Sequence, residues 1–335
     1  MSIEFKNFVK SNDDIGLDFD IYGLKTSMAN AIRRTALSEL TNIAFSYEPK
    51  NTIKIEKNTS VLNDEYIAHR IGITPVIIPE WMNDKTIDLD EYEFHLSAKS
   101  DDKKYVTTDD FVIKRTTKGD SVGTGIENME TKKYFLKDPV LIMRFPKRDD
   151  QNQELTLNCK VITGTHLDHA GFSPVTICTL VNNEDDSLHF KVESIGLWST
   201  KQIMRETFSH LILRCENIIT LILKEENCTL YEGNYMAVDF TLKNETHTIG
   251  NMLQEFIYDQ EFPTHKDSKF SHISYHEPHP LEKRIIIRVS LVNEEDNYED
   301  YRVAAMNILI DKIREMKYKL VEISEIWNTS YELNG

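Results

Sequence analysis

Apolar side chains recur at helical spacing in four segments of the chain. Residues 26–40 begin with the cap-type residues Thr26 and Ser27, and residues 199–223 repeat apolar positions in steps of four and three. Residues 247–259 and 299–326 carry similar stripes, the last from Val303 to Ile323. We expect these stripes to pack two halves of the chain together through Met28, Ile32, Met204, Phe208, Leu211, Ile249, Leu253, Ile310 and Ile313.

Strand-like segments lie between the helices. Residues 16–22, 51–55, 236–242 and 284–292 are rich in alternating or β-branched residues. The stretch from about residue 81 to 160 differs, because charged, turn-prone pieces separate short strand candidates in it, such as 92–96 and 139–144. This composition predicts a β-rich inserted domain with long surface loops.

A short motif occurs twice. Residues 27–32 (SMANAI) and 248–253 (TIGNML) each contain a hydroxyl residue, an apolar residue, a small residue, Asn and two apolar residues. Each copy follows a strand candidate, and each half of the chain closes with a long striped helix. The small residue lets another backbone or sheet approach closely. The repeat predicts two related α+β modules paired about a pseudo-two-fold axis, with a chance match as the alternative.

Composition narrows the class of function. The chain has 335 residues, room for about two or three domains, and a formal net charge of −16 with Lys and Arg dispersed among acids. A protein that grips a phosphate backbone usually carries a basic patch, so we expect little direct nucleic-acid contact. Neither a membrane span nor a secretory signal is recognisable, and the four cysteines are expected to be reduced. We therefore expect an intracellular protein.

No catalytic or cofactor-binding motif stands out. The sequence lacks a Walker loop, a G-x-S-x-G elbow and an H-E-x-x-H motif. The histidines at 272, 276 and 279, and those at 166 and 169, do not supply a convincing ligand set for zinc. We assign no catalytic residue, no metal and no cofactor, and expect the chain not to be an enzyme by itself.

Six segments resemble known polymerase components. Residues 24–40 (LKTSMANAIRRTALSEL), 57–76 (KNTSVLNDEYIAHRIGITPV), 166–178 (HLDHAGFSPVTIC) and 190–208 are similar to the third-largest subunit of eukaryotic RNA polymerase II, its archaeal D-like counterpart and the bacterial alpha N-terminal domain. Residues 244–257 and 275–291 resemble the smaller alpha-like partner, which is L-like in archaea. Some family members bind a metal through cysteines in the inserted domain, but residues 81–158 of this sequence contain no cysteine.

The resemblance implies an α+β fold in which two alpha-like dimerisation modules pair within one chain. The first, D-like module would comprise residues 1–50 and 181–229, interrupted by a β-rich insert at 51–180, and the second, L-like module residues 230–335. Joining these partners in one chain is typical of large cytoplasmic DNA viruses, which suggests a viral protein in the host cytoplasm or the virion, with the nucleus as the alternative.

The implied function is a non-catalytic assembly platform of a multisubunit DNA-directed RNA polymerase. Its expected partners are the second-largest (beta-like) and largest (beta-prime-like) subunits and small polymerase subunits, without homo-oligomerisation. The alternative is an alpha-like scaffold of a different multiprotein complex.

Two groups of residues match regions where the family contacts its partners. Arg34 is the second Arg of the N-A-[IL]-R-R motif, which in the family faces the second-largest subunit, and Asn30 and Arg33 accompany it. Arg34 could instead be a solvated surface residue, and Arg33 is expected at the core edge with its stem buried. Glu255 takes the place of Arg34 in the second copy. The other group is Asn63, Asp64, Glu65, His69 and Arg70, where a helix start is expected and a purely structural role is the alternative.

Overall fold

A computed structural model describes residues 2–11, 14–47, 50–102, 104–118, 124–146, 152–231, 233, 235–262, 268–292 and 297–334. These residues form two compact units. We call residues 1–36, 177–193 and 200–335 the paired unit, and residues 37–176 and 194–199 the inserted unit.

The helices and strands are as follows, in chain order. The helices are α1 (Thr26–Ser38), α2 (Asp64–Gly72), α3 (Pro79–Asn83), α4 (Thr200–Ile222), α5 (His247–Glu261) and α6 (Tyr298–Asn334). The strands are β1 (Glu4–Lys10), β2 (Gly16–Tyr22), β3 (Asn42–Ala44), β4 (Ile53–Asn58), β5 (Tyr92–Lys99), β6 (Tyr105–Thr107), β7 (Phe111–Lys118), β8 (Thr124–Met129), β9 (Leu141–Arg144), β10 (Glu154–Cys159), β11 (Ile162–Gly164), β12 (Val175–Asn182), β13 (Leu188–Ser194), β14 (Cys228–Leu230), β15 (Val238–Lys243), β16 (Phe270–His276) and β17 (Arg284–Leu291).

The same topology occurs twice in the paired unit. The first module runs β1-β2-α1-β12-β13-α4, and the second runs β14-β15-α5-β16-β17-α6. Their sheets have corresponding strand orders, β1-β2-β13-β12 and β14-β15-β17-β16. The elements from β3 to β11 interrupt the first module. This confirms the predicted fold class, whereas the residue bounds of the three domains stay a prediction.

Helices α4 and α6 join the two modules in antiparallel orientation. Lys201 near the start of α4 lies 3.2 Å from Glu332 near the end of α6 (Nζ to Oε1), and Lys317 lies 2.6 Å from Glu216 further along. Between these pairs the ring of Phe208 lies 6.1 Å from that of Trp327. The modules are therefore paired within one chain, as the fold prediction requires.

The sheet of the first module packs on this helix pair through aromatic rings. Phe19 on β2 and Phe190 on β13 are paired in register, and their rings stack with centroids 5.0 Å apart. Trp327 of α6 meets Phe19 edge-on at 6.4 Å. Alternation along β2 turns Asp18 and Asp20 to the opposite face of the sheet.

The stripe of α6 differs from the predicted one at both ends. Val303 is exposed and Met306 half-exposed, so the stripe was wrongly placed at its start. The helix begins at Tyr298 and buries Tyr301 and Ala305 instead. It also continues beyond residue 326, and the additional turns bury Trp327 and Tyr331.

The inserted unit is rich in β-structure. It contains a five-stranded sheet in the order β4-β10-β5-β7-β8 and the two-stranded sheets β11-β3 and β6-β9. Its core holds a cluster of rings, with centroids 5.1 Å apart for Phe45 and Phe94 and 5.2 Å for Phe111 and Phe135. Such ring pairs stabilise beyond the area that they bury. The expectation of a β-rich insert is confirmed.

The four cysteines are free thiols. Burial raises the pKa of Cys178 and of Cys215 to about 12, and it also raises the pKa of Cys159 and of Cys228. Raised pKa values keep the thiols protonated and poorly nucleophilic. Within the described ranges, no group of three or more His, Cys, Asp or Glu is placed to hold a metal ion, and no helix is both long and apolar enough to cross a bilayer.

Candidate subunit interface

The two motif copies form the first turns of α1 and α5. Ser27 and Thr248, the hydroxyl residues of the two copies, are 8% and 3% exposed. Thr246 caps α5, because its hydroxyl accepts a hydrogen bond from the backbone N–H of Thr248 at 3.4 Å. Both helices belong to the paired unit, and the hydroxyl residues of the motif are buried in it.

Arg34 connects the two motif helices. Its Nε donates a hydrogen bond to the Thr248 hydroxyl at 3.0 Å, and its side chain is half-buried. Arg34 therefore lies at the junction of the modules, half-buried rather than fully solvated. Its role toward a partner subunit stays a prediction.

A polar cavity of about 210 Å³ opens beside Arg34. Side chains of both modules line it, and none of the lining residues is acidic: Ser27, Asn30, Ala31, Arg34, His247, Thr248, Asn251 and Tyr275. The Asn residues of the two motif copies thus line one cavity. Asn30 Oδ1 accepts a hydrogen bond from Arg33 Nε at 2.9 Å, which orients the half-buried Arg33 along its own helix.

Charged groups surround the rim of this cavity. Glu277 lies 2.9 Å from His247 (Oε2 to Nε2). Burial raises the pKa of Tyr275, Arg34 opposes that rise, and Glu255 and Glu277 add to it. Arg34 and its counterpart Glu255 therefore act on the same phenol with opposite sign, which makes the two halves of this surface electrostatically unequal.

Gly250 allows the Tyr275 ring to lie against α5. A Cβ atom on Gly250 would come within 2.4 Å of Tyr275 Cδ2. The close approach anticipated for the small residue of the motif is present here, between α5 and β16.

All nine apolar residues expected between the modules are buried: Met28, Ile32, Met204, Phe208, Leu211, Ile249, Leu253, Ile310 and Ile313. Their burial agrees with a packed core in the paired unit. The assignment of each one to the seam between the modules stays a prediction.

The second group of candidate residues lies on α2 in the inserted unit. Asn63 caps this helix, since its Oδ1 accepts a hydrogen bond from Tyr66 N–H at 2.9 Å, and Asp64 and Glu65 occupy the first turn. Acids in that position are favoured by the helix dipole. Asp64 Oδ1 also accepts from Asn58 Nδ2 at 2.7 Å. The predicted helix start is confirmed, and these carboxylates stay exposed.

His69 and Arg70 lie near the end of the same helix. The His69 ring is exposed and lies 6.5 Å from that of His169, and Arg70 Nη2 donates to the carbonyl oxygen of Leu141 at 2.9 Å. Burial lowers the pKa of His169, and His69 lowers it further. Arg70 is thus held against β9, while His69 remains open to solvent.

Two further features were not among the predicted site residues. Val61 and Tyr66 are apolar residues beside the α2 carboxylates, and they are 54% and 56% exposed. Arg214 of α4 and Glu245 before α5 form a buried ion pair. An Arg within an apolar stripe was the available signal for this pair, but nothing local identifies its partner.

The candidate residues form two separate groups. Asn30, Arg33 and Arg34 share α1 in the paired unit, and Asn63, Asp64, Glu65, His69 and Arg70 share α2 and its cap in the inserted unit. Each group remains a predicted contact surface of its own unit.

Two family models match the chain. Residues 18–215 match the model described as the RNA polymerase Rpb3/Rpb11 dimerisation domain, and residues 237–319 match a second model of the same description. The first match contains the motif of α1 and extends into α4, and the second contains α5 and most of α6.

Curated relatives are polymerase subunits of eukaryotes and archaea. The DNA-directed RNA polymerases I and III subunit RPAC1 of Saccharomyces cerevisiae is 28% identical over 193 residues, 52% of this chain and 55% of that protein. Rpo3 of Thermococcus kodakarensis is 30% identical over 173 residues (51% and 57%), and Rpo3 of Methanocaldococcus jannaschii is 26% identical over 215 residues (63% and 93%). The match spans little more than half the length of the first two.

Proposed function

The chain belongs to the RNA polymerase Rpb3/Rpb11 dimerisation family, and from this membership we propose that it is a non-catalytic assembly subunit of a multisubunit DNA-directed RNA polymerase. In this role it binds the two large catalytic subunits and small polymerase subunits, and it acts inside the cell. The curated relatives are polymerase subunits by description, which supports the same class of complex for this chain.

One observation carries the proposal: the two modules, one from each matched domain, lie in one compact unit with α4 packed antiparallel on α6. A dimerisation domain buries an apolar face against its partner. Because this chain supplies both domains, that face is already covered. The outer surfaces then remain available for other subunits.

We assign the second-largest subunit to the surface around Arg34, Asn30 and Arg33. The cavity there combines a guanidinium with amide, hydroxyl and phenol groups from both modules, so a partner that binds it recognises the assembled pair rather than either module alone. Because Glu255 takes the place of a second Arg, the two halves of this surface carry opposite charge, which lets one half select a given partner.

A second contact surface is assigned to α2. Asp64, Glu65 and His69 are exposed there, and Val61 and Tyr66 add apolar area to the charged groups. Interfaces of moderate size combine an apolar centre, often with Tyr, and a polar rim. The arrangement suits a protein partner better than a nucleic acid, since acids predominate.

Co-purification tests the proposal. The tagged full chain, produced in its native cell type, is expected to bring down two large subunits of the beta and beta-prime classes in stoichiometric amounts, identified by mass spectrometry. A complex of different composition would overturn it in favour of an alpha-like scaffold elsewhere. Nucleotide-polymerising activity of the isolated chain would contradict its non-catalytic role.

A further inference from the structure

A buried ion pair crosses from the first module to the second. Arg214 lies on α4 and Glu245 lies in the turn between β15 and α5. The guanidinium faces both carboxylate oxygens, with Nε 3.5 Å from Oε1 and Nη2 in closer contact with Oε2. The two side chains are only 11% and 8% exposed.

Such a pair constrains which surfaces can meet. An arginine that is removed from water without a carboxylate partner is strongly destabilising, because its charge is buried without compensation. The same pair contributes little net stability compared with apolar residues of similar volume. Its effect is therefore on the choice of partner surface more than on the strength of pairing.

The repeat identifies the place equivalent to this pair on the other side of the pseudo-two-fold axis. The motif offset of 221 residues relates Glu245 to Leu24. The buried positions of α4 and α6 coincide at an offset of 105, which relates Arg214 to Lys319. The coincident buried pairs are Met204 and Leu309, Phe208 and Ile313, Leu211 and Met316, Cys215 and Leu320, Ile218 and Ile323, and Ile222 and Trp327.

At the equivalent place Leu24 and Lys319 form no ion pair with each other, and an exposed pair, Lys25 and Asp259, crosses between the modules beside them (Nζ to Oδ2 3.0 Å). Leu24 and Lys319 line one mainly apolar cavity of about 180 Å³, together with Met28, Met252 and Phe256. The ammonium of Lys319 lies 2.8 Å from Glu322 of its own helix. The two halves of the junction therefore differ: one buries an ion pair, and the other has an exposed ion pair beside an apolar cavity.

We propose that the Arg214–Glu245 pair makes the first module accept the second module and reject another copy of itself. If two first modules paired in this geometry, each Arg214 would be buried against Leu24 of the other copy, with no carboxylate nearby. A first module paired with a second module buries one matched pair, Arg214 with Glu245. Two second modules would place Lys319 opposite Glu245, which is not a charge mismatch, so the pair disfavours only the pairing of two first modules.

Charge reversal in the full chain tests the selection. Arg214→Glu and Glu245→Arg each place like charges together, and each is expected to lower the melting temperature by roughly 5–15 °C. The combination of both changes in one chain restores the pair with reversed polarity and is expected to regain most of that loss. The exposed pair Lys317 and Glu216 on the same two helices supplies the control, because reversal there should change little.

Co-expression separates selection from simple stabilisation. An Arg214→Glu chain and a Glu245→Arg chain with different tags can exchange modules, and the exchanged dimer contains two matched pairs. We expect the two tags to co-purify in equal amounts, and two wild-type chains not to do so. Absence of rescue in the doubly reversed chain overturns the proposal, as does rescue without co-purification, which reduces the pair to a structural contact.

Discussion

The Tyr275 ring lies where a side chain of Gly250 would be, with Cδ2 2.4 Å from the position of a Cβ atom. Gly250→Ala is expected to lower the free energy of unfolding by about 1–2 kcal/mol, because overpacking outweighs the better helix propensity of Ala. Urea denaturation measures this change. In a Tyr275→Ala background the same substitution should become neutral or stabilising, and an equal loss in both backgrounds would mean that the ring is not the obstacle.

Leu211 is fully buried on α4, whereas Leu213, two residues further, is 54% exposed. Leu211→Asp is expected to destabilise the chain by about 4 kcal/mol or more, since the carboxylate would be buried without a partner. Leu213→Asp is the matched control and should stay within about 0.5 kcal/mol of wild type. Similar thermal melts for the two variants would contradict a packed seam at Leu211.

Arg34→Glu is expected to reduce capture of the second-largest polymerase subunit by about tenfold or more, because a carboxylate would replace the guanidinium of the proposed contact surface. The substitution also removes the hydrogen bond to Thr248. Thr248→Val removes that bond and keeps the guanidinium, so it is the control for the internal contact. Equal losses in pull-downs with both variants would place the effect at the module junction, and unchanged capture with Arg34→Glu would remove Arg34 from the interface.

Glu261 connects α5 to α6, with Oε1 2.8 Å from Lys312 Nζ, and it accepts from the backbone N–H of Lys269 at 3.0 Å. Burial alone would raise the pKa of Glu261, but the hydrogen bonds and the charge of Lys312 outweigh it, so the pKa is lowered. A lowered pKa in the folded state stabilises above the pKa of the unfolded chain, and this contribution disappears as the pH falls through the folded value.

Glu261→Gln should therefore destabilise the protein at pH 7, by about 1.5–3 kcal/mol for hydrogen bonds to a charged group. The difference from wild type should shrink from about pH 5 downward. Denaturant unfolding across pH 3–7 measures it, with the exposed Glu325→Gln as control. A difference that is constant with pH would contradict a stabilising carboxylate. Burial lowers the pKa of Lys312, but the carboxylates of Glu261 and Glu315 outweigh it and raise the pKa, so the contribution of Lys312 itself is constant in this window.

Local patterns predicted the parts of the fold that depend on neighbours in the chain. The motif at Ser27 and Thr248 and the stripe around Leu211 located both modules. Helical spacing can be recognised from residues that are three or four positions apart, so it needs no knowledge of the packed structure. The error at Val303 arose because the same spacing fits another stripe, and only the packed sheet decides which face is buried.

Contacts between distant residues escaped prediction. The bond from Arg34 to Thr248 and the pair of Arg214 with Glu245 join residues that are far apart in sequence, and no spacing rule connects them. The helix start at Asn63 was foreseen, because a cap bonds to a residue only three positions away. The exposure of Tyr66 and Val61 was not evident from the sequence, because burial depends on how the chain packs.

The covalent connection between the modules changes the kinetics of their pairing. Separate chains meet at a rate that depends on how much of each is present, and dilution drives them apart. Tethered partners meet at an effective concentration in the millimolar range, set by the connecting segment. Pairing through α4 and α6 is accordingly a first-order step that is independent of expression level, and equal amounts of the two halves are guaranteed by translation of a single message.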